Sequence, residues 1–163
     1  MKTIPLSKGK VATVDDSDFD NANQFKWSLK PGTKGYSDYA HRSIKVDGKW
    51  THISLHRFLM GSPMGMEIDH IDGDGLNNQR SNLRVCTHAQ NNRNMKNSNK
   101  HGMKGVAFIP NRRAFKKWIS KITADGKMIT IGYYWTMKDA AFAYNEAAKR
   151  LHGEFARLNI IPE

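Results

Sequence analysis

Three aspartate-glycine turns cut this chain into short pieces: Asp47-Gly48, Asp72-Gly73-Asp74-Gly75 and Asp125-Gly126. Such dipeptides adopt the positive backbone φ that a tight hairpin turn needs. The segments around them read as strands. Residues 39–46 and 50–55 flank the first turn, 67–71 and 84–86 lie on either side of the second, and 118–123 and 128–131 alternate in hydropathy around the third. Strands this short fold back as small antiparallel pairs. In a chain of 163 residues they predict two or three small modules. Thin cores of that size are helped by a bound metal, a bound partner or packing against one another.

The remaining segments order the pieces. Residues 11–14 form a short β-branched run, and Pro31, Gly32 and Gly35 mark a loop before the first hairpin. A short apolar helix is predicted over 55–60, stopped by Gly61, Ser62 and Pro63. The stretch 94–102 is almost without apolar side chains and reads as a linker. Beyond it, Trp118, Ser120 and Ile122 share one strand face, while Lys117, Ile119, Lys121 and Thr123 share the other. A helix then starts at Thr136, with Asp139 three residues later as the reciprocal partner of a capping box. Its stripe of Ala140, Ala143, Tyr144, Ala147, Ala148 and Leu151 can lie close on a sheet, and Gly153 ends it. The expected fold class is α+β. Its parts are a β-rich region at 1–51, a ββα module at 52–95, a linker at 96–102, and at 103–163 a three-stranded antiparallel sheet packed on one helix.

Charge separates these parts. Residues 1–63 carry ten basic and six acidic side chains, 64–93 three and four, and 94–163 thirteen and five, within a formal total of +11. The last third therefore seeks a polyanion, with nucleic acid the first candidate. The middle segment alone has an acidic balance, as a divalent-cation site would. The single cysteine, Cys86, excludes an intramolecular disulfide framework and a four-cysteine zinc ribbon, and inside a strand it reads as a small core residue. No apolar run approaches the ~18 residues of a membrane span, and the first residues lack the apolar core of a secretory signal. The expected location is the cytoplasm, that of the host if the chain is phage-encoded.

The chemistry is concentrated in Glu67-Ile68-Asp69-His70-Ile71-Asp72-Gly73-Asp74-Gly75, then Asn82-Leu83-Arg84-Val85, then Thr87-His88-Ala89-Gln90-Asn91. The first stretch reads as a strand and a turn, the second as a strand, and Thr87 as the N-cap of a helix that carries Asn91. Asp69 and His70 are adjacent, so a regular strand points them to opposite faces, and one can hold a metal while the other addresses a water only if the strand twists or bends there. An EF-hand loop is rejected, because its first ligand position would fall on His70 and its twelfth on Ser81. His56 reads as a hydrogen-bonded structural histidine, and His88 as solvated or near the substrate rather than a ligand.

Across residues 52–95 this pattern resembles the His-Asn-His (HNH) nucleases, in the Asp-His/Asn/Asn variant of phage and intron homing endonucleases. His56-Arg57-Phe58-Leu59-Met60 and Asn82-Leu83-Arg84 are also similar to that family. The resemblance implies that Asp69 and Asn91 ligate one divalent cation, that His70 is the general base, and that Asn82 braces the loop orienting His70. Asn91 replaces the family's second histidine. An amide oxygen is a harder donor than imidazole and favours magnesium or manganese over zinc. An imidazole with an ordinary pKa near 6.5 suits a base at neutral pH. Cleavage would leave a 5′ phosphate and a 3′ hydroxyl. One site per chain cuts one strand per encounter, so a monomer nicks, and a double-strand break needs a homodimer or a second event.

Residues 103–159 resemble the plant APETALA-type, or ethylene-response-factor, DNA-binding domain. The matching residues are Lys104-Gly105-Val106, Lys117-Trp118-Ile119-Ser120-Lys121-Ile122, Thr130-Ile131-Gly132-Tyr133-Tyr134 and the helix from Asp139 to Ala148. The resemblance implies that the sheet enters the major groove of double-stranded DNA with the helix behind it. Ala107 and Thr130 stand where that family has an arginine and a groove-facing tryptophan. Lys104, Arg112, Arg113, Lys117, Lys121 and Lys127, with Thr130, are the candidate DNA contacts. Trp118 reads as core. The rival reading is a non-catalytic DNA-binding regulator that keeps a nuclease scaffold. An RNA-directed role is disfavoured, because the sheet lacks the paired aromatics of RNA stacking platforms.

Overall fold

The computed structural model describes residues 1–33, 36–61, 64–96, 101–111 and 113–162. Arg112, the helix-stopping Ser62 and Pro63, Gly35, and residues 97–100 of the expected linker lie outside the described residues. The chain divides into two compact units, Met1–Asn92 and Arg93–Glu163. The architecture is α+β throughout, with two two-stranded and two three-stranded antiparallel sheets among the described residues.

The first unit opens with β1 (Lys2–Pro5) antiparallel to β2 (Val11–Val14), followed by α1 (Asp16–Asn23). Next comes a sheet in which β4 (Tyr39–Val46) lies between β3 (Ser28–Lys30) and β5 (Lys49–Ser54). Asp47 and Gly48 take φ of 48° and 77° at the β4-β5 turn, as the dipeptide predicts. Helix α2 (Leu55–Met60) leads to β6 (Glu67–His70), which pairs with β7 (Leu83–Cys86) before α3 (His88–Asn94).

One core joins the N-terminal strands to α2. Ile4, Leu6, Ala12, Val14, Ala22, Trp27, Ala40, Leu55 and Leu59 are buried together, with Leu76 packed at their edge. Each large side chain in such a cluster contributes about 1.5–3 kcal/mol by leaving water. The N-terminal strands and α2 are therefore halves of one hydrophobic core. Polar contacts tie the same pieces together. Thr13 N donates to Leu76 O, and Asn78 N donates to Thr13 O, both at 2.8 Å. The Arg80 guanidinium grips both carboxylate oxygens of the buried Asp18 at 2.8 Å.

The second unit is a sheet of order β10-β9-β8, with β8 at Val106–Phe108, β9 at Trp118–Ala124 and β10 at Lys127–Tyr134, backed by α4 (Met137–His152). Half of the expected capping box forms: Asp139 N donates to Thr136 Oγ1 at 3.1 Å, while the Asp139 carboxylate takes the Thr136 hydroxyl at 2.8 Å rather than the Thr136 backbone N–H. Ala140, Ala141, Ala147 and Ala148 are buried against the sheet with Val106 and Ile122. Small side chains let helix and sheet approach, and Gly105 shows how closely. A Cβ there would lie 2.1 Å from the Tyr144 ring and 2.4 Å from Lys121 O, at a φ of +72°. Asn159 closes the unit by bonding the backbone of Lys104 through its amide and receiving the Asn145 amide on its carbonyl.

Candidate functional site

Strand alternation sorts the central residues. Glu67 and Asp69 share one face of β6, and Ile68 and His70 the other. On the first face, Asp69 lies opposite Arg84 in the ladder, and its Oδ2 receives the Arg84 guanidinium at 2.7 and 3.0 Å. Glu67 receives the Asn91 amide at 2.6 Å on one oxygen, and its other oxygen is 2.7 Å from His88 Nδ1. The bond from Asn91, then that from His88, holds the Glu67 carboxyl below its ordinary range. Helix α3 brings Asn91 to this face because its start is fixed. Gln90 N donates to Thr87 Oγ1 at 3.2 Å, and Thr87 N donates to Gln90 Oε1 at 2.8 Å, a reciprocal cap.

On the other face, His70 is 4 % exposed and sits in a cluster of rings. Its centroid lies 5.0 Å from that of His56, edge to face, and 5.7 Å from that of Tyr39. Burial lowers the His70 pKa, against the raising effect of its bond to Asn78 and the charges of Asp72, Asp69 and Asp74. Burial also pushes His56 down to about 3, with His70 and Arg57 adding to the effect. Both imidazoles are therefore neutral at pH 7. His70 Nε2 lies 3.3 Å from Asn78 Oδ1. A carbonyl oxygen only accepts, so Nε2 carries the proton and the basic lone pair is on Nδ1.

The turn after His70 is woven from side chains. Asn82 Oδ1 accepts from Asp72 N at 3.0 Å, and its amide donates to Asp72 Oδ1 at 3.0 Å and Asn77 O at 2.8 Å. Ile71 N donates to Asn82 O at 2.9 Å. Gly75 is required because a Cβ would strike Asp38 O at 2.4 Å and the Tyr39 ring at 2.5 Å. Asn78, absent from the sequence-predicted site, is wholly buried and touches the histidine directly. Its only sequence signal is an asparagine pair, Asn77-Asn78, just beyond an acidic turn, and nothing in that pair shows which member turns inward.

A hard divalent cation fits the donor types on the Asp69 face, a carboxylate from β6 and an amide from α3 beside the Glu67 carboxylate. Among the described residues, no group of three or more His, Cys, Asp or Glu could hold a metal ion.

The candidate DNA contacts of the second unit fall in different settings. Lys127 and Thr130 are exposed on β10, with Thr130 opposite Lys121, and Arg113 is exposed in the preceding loop. Lys117 Nζ is 3.3 Å from Pro110 O. Lys104 turns inward and donates to Arg93 O and Met95 O, and its burial lowers the pKa to about 8. Trp118 is half-buried against the core, as expected. The register shifts between Thr130 and Gly132, a bulge that simple alternation does not foresee.

Comparison with known proteins agrees with this geometry. A family model for HNH endonucleases matches residues 49–93. An uncharacterized HNH endonuclease, L560, of Acanthamoeba polyphaga mimivirus is 34% identical over 162 residues, covering 94% of this chain and 77% of the relative. Protein 3.8 of Escherichia phage T7 is 37% identical over 97 residues, covering 58% of this chain and 77% of the relative. No solved structure matches. No helix among the described residues is long and apolar enough to cross a membrane. With a family model centred on the β6-β7-α3 site and a viral relative matched along almost the whole sequence, the chain belongs to the HNH endonuclease family.

Proposed function

We propose that this protein is a metal-dependent endonuclease that hydrolyses phosphodiester bonds of double-stranded DNA, of the homing type found in mobile elements. The observation that carries the reading is the pairing of a neutral, buried His70, protonated on Nε2 by its bond to Asn78, with an oxygen-donor face on the other side of the same strand. His70 takes a proton from the attacking water through Nδ1. Asn82 keeps the following turn in place, so that the imidazole does not drift from the scissile phosphate. Asp69 and Asn91 would hold one divalent cation, magnesium or manganese, which when bound would supply positive charge to the phosphate and the departing 3′ oxygen. Arg84 restrains the Asp69 carboxylate, so a ligand is held in one rotamer.

The second unit is proposed to grip the duplex as the APETALA-type sheet does. Arg113, Lys121 and Lys127 would contact phosphates, and Thr130 would sit at the groove-facing position of β10. Support comes from the thirteen basic against five acidic side chains of residues 94–163. Lys104 fits this role less well, since its ammonium is committed to backbone carbonyls.

A plasmid-nicking assay with and without chelator tests the reading. Nicking should require magnesium or manganese, and Asp69→Ala or Asn91→Ala should lose activity that raised metal partly restores by mass action. DNA binding with no nicking under any divalent metal would instead establish a non-catalytic regulator. Sedimentation of the complex, read beside the ratio of nicked to linear product, would decide between monomer and homodimer.

A further inference from the structure

At its β3 end the sheet β3-β4-β5 packs one face into the core, although Val46 and Thr51 of that face are exposed toward the hairpin tip, and its other face is exposed at Lys30, Ser43, Lys45, Trp50 and His52. Ala40 is 1 % exposed, and the Arg42 guanidinium lies 3.7 Å from the Phe25 ring centroid on the covered side. The ladder places Lys45 opposite Trp50, Ser43 opposite His52 and His41 opposite Ser54 on the other side, and β3 adds Lys30 opposite Tyr39. Lys30, Lys45 and His52 are exposed, and Trp50 is 74 % exposed near the hairpin tip. An indole left in water adds nothing to the core, and aromatic rings at such positions are characteristic of contact surfaces. The three strands contain lysines, an arginine and histidines but no Asp or Glu. A bare face without one carboxylate is complementary to a polyanion.

This face also leads directly to the histidine. Tyr39, at the start of β4 on the same face, lies 5.7 Å centroid to centroid from both His56 and His70. From Tyr39 to Lys45 a strand rises about 20 Å at ~3.3 Å per residue. That is the length of about six base pairs at 3.4 Å each.

We propose that the outer face of β3-β4-β5 is a DNA track, which holds the duplex on one side of the cleaved phosphate for about six base pairs. Lys30 and Lys45 contact phosphates, and the Trp50 indole packs on the sugar and base edges at the far end. The assignment rests on the nuclease reading for the position of the cut, while the docking of DNA rests on the face itself.

The test measures binding of the full-length chain to a labelled duplex in chelator, as a function of salt. Trp50→Ala should weaken binding about tenfold, the scale of losing the burial of one large apolar side chain. Lys45→Ala should lower the slope of log affinity against log salt by about 0.9, and adding Lys30→Ala should lower it again by a similar amount. Val46→Ala, on the opposite face of the same hairpin, should leave affinity and slope unchanged. Thermal melts of each variant confirm that the fold is kept. Unchanged affinity and slope in the folded Trp50 and lysine variants would overturn the track. So would a Trp50→Ala effect confined to self-association of the DNA-free protein, since the face would then belong to a second copy. Wild-type protein that binds through this face yet never nicks would keep the track and remove the nuclease reading. Nicking with hairpin variants that bind normally would do the reverse.

Discussion

The two units solve opposite problems. In the second, helix α4 lies on its sheet through a periodic stripe of alanines, and most of its parts follow local rules, an N-cap, a turn dipeptide and alternating strands, with Asn159 bonded to Lys104 as a long-range closure. In the first, the functional side chains are held by polar contacts between residues far apart in sequence. Arg80 reaches back to Asp15 and Asp18, Asn78 and Leu76 to Thr13, and Gly75 to Ser37. The contrast shows where precision is needed. A sheet proposed to meet DNA by charge would tolerate local construction, whereas the proposed general base would have to be fixed in position, tautomer and protonation state, which needs partners from several directions.

The contrast breaks most sharply at His70. His70→Ala should lower the nicking rate by about 10²–10⁴, the range for a lost general base, while DNA affinity stays within a few-fold. Rates near wild type in a single-turnover assay would remove His70 from the chemistry.

Acid should then separate the units. His56 is protonated at pH 6.5 in the unfolded chain but only near 3 when folded, so the unfolded state binds more protons between those values. Stability is complete above 6.5 and is lost as the pH falls through that window. His70 adds to the loss, and the lowered carboxyls of Glu67 and Asp72 extend it once the pH drops below about 4.5. The second unit has one comparable group, His152, also lowered chiefly by burial. Hydrogen exchange at pH 4 against pH 7 should therefore show greater loss of protection in β6, β7 and α2 than in β9 and α4. Equal losses would mean that the buried histidines of the first unit are not held neutral.

The smallest effect sharpens the local side of the comparison. Thr136→Ala removes the cap of α4 and should cost about 1 kcal/mol in urea unfolding, with cleavage chemistry unchanged. A much larger cost would show that the second unit depends on that contact beyond its helix end.

Some parts of the molecule are legible in the sequence because their physics is local. The hairpin at Asp47-Gly48, the N-caps at Thr87 and Thr136, the helix at 55–60 and the β6-β7-α3 order follow from turn chemistry and periodicity, and they occur at the expected residues. The spacing of Asp69, His70, Asn82 and Asn91 was likewise sufficient to point to the HNH family. Helix α1 escaped because Asp16-Ser17-Asp18-Phe19-Asp20 is strongly polar, with Phe19 and Ala22 its only apolar side chains. The joining of the N-terminal strands to α2 over one core was not legible, since hydrophobic burial has no address in sequence.

The sequence by itself determined the chemical inventory: oxygen donors and an imidazole at family spacing, a basic C-terminal third, and short strands closed by aspartate-glycine turns. Only the tertiary structure decided that Asn78 sets the His70 tautomer, that Lys104 turns inward, and that the bare face of β4 and β5 begins beside the histidine. Each of these depends on which side chains meet in three dimensions rather than on local pattern. Local propensities select turns and strands, but the contacts that set a proton's position or a surface's continuity exist only after the chain has closed on itself.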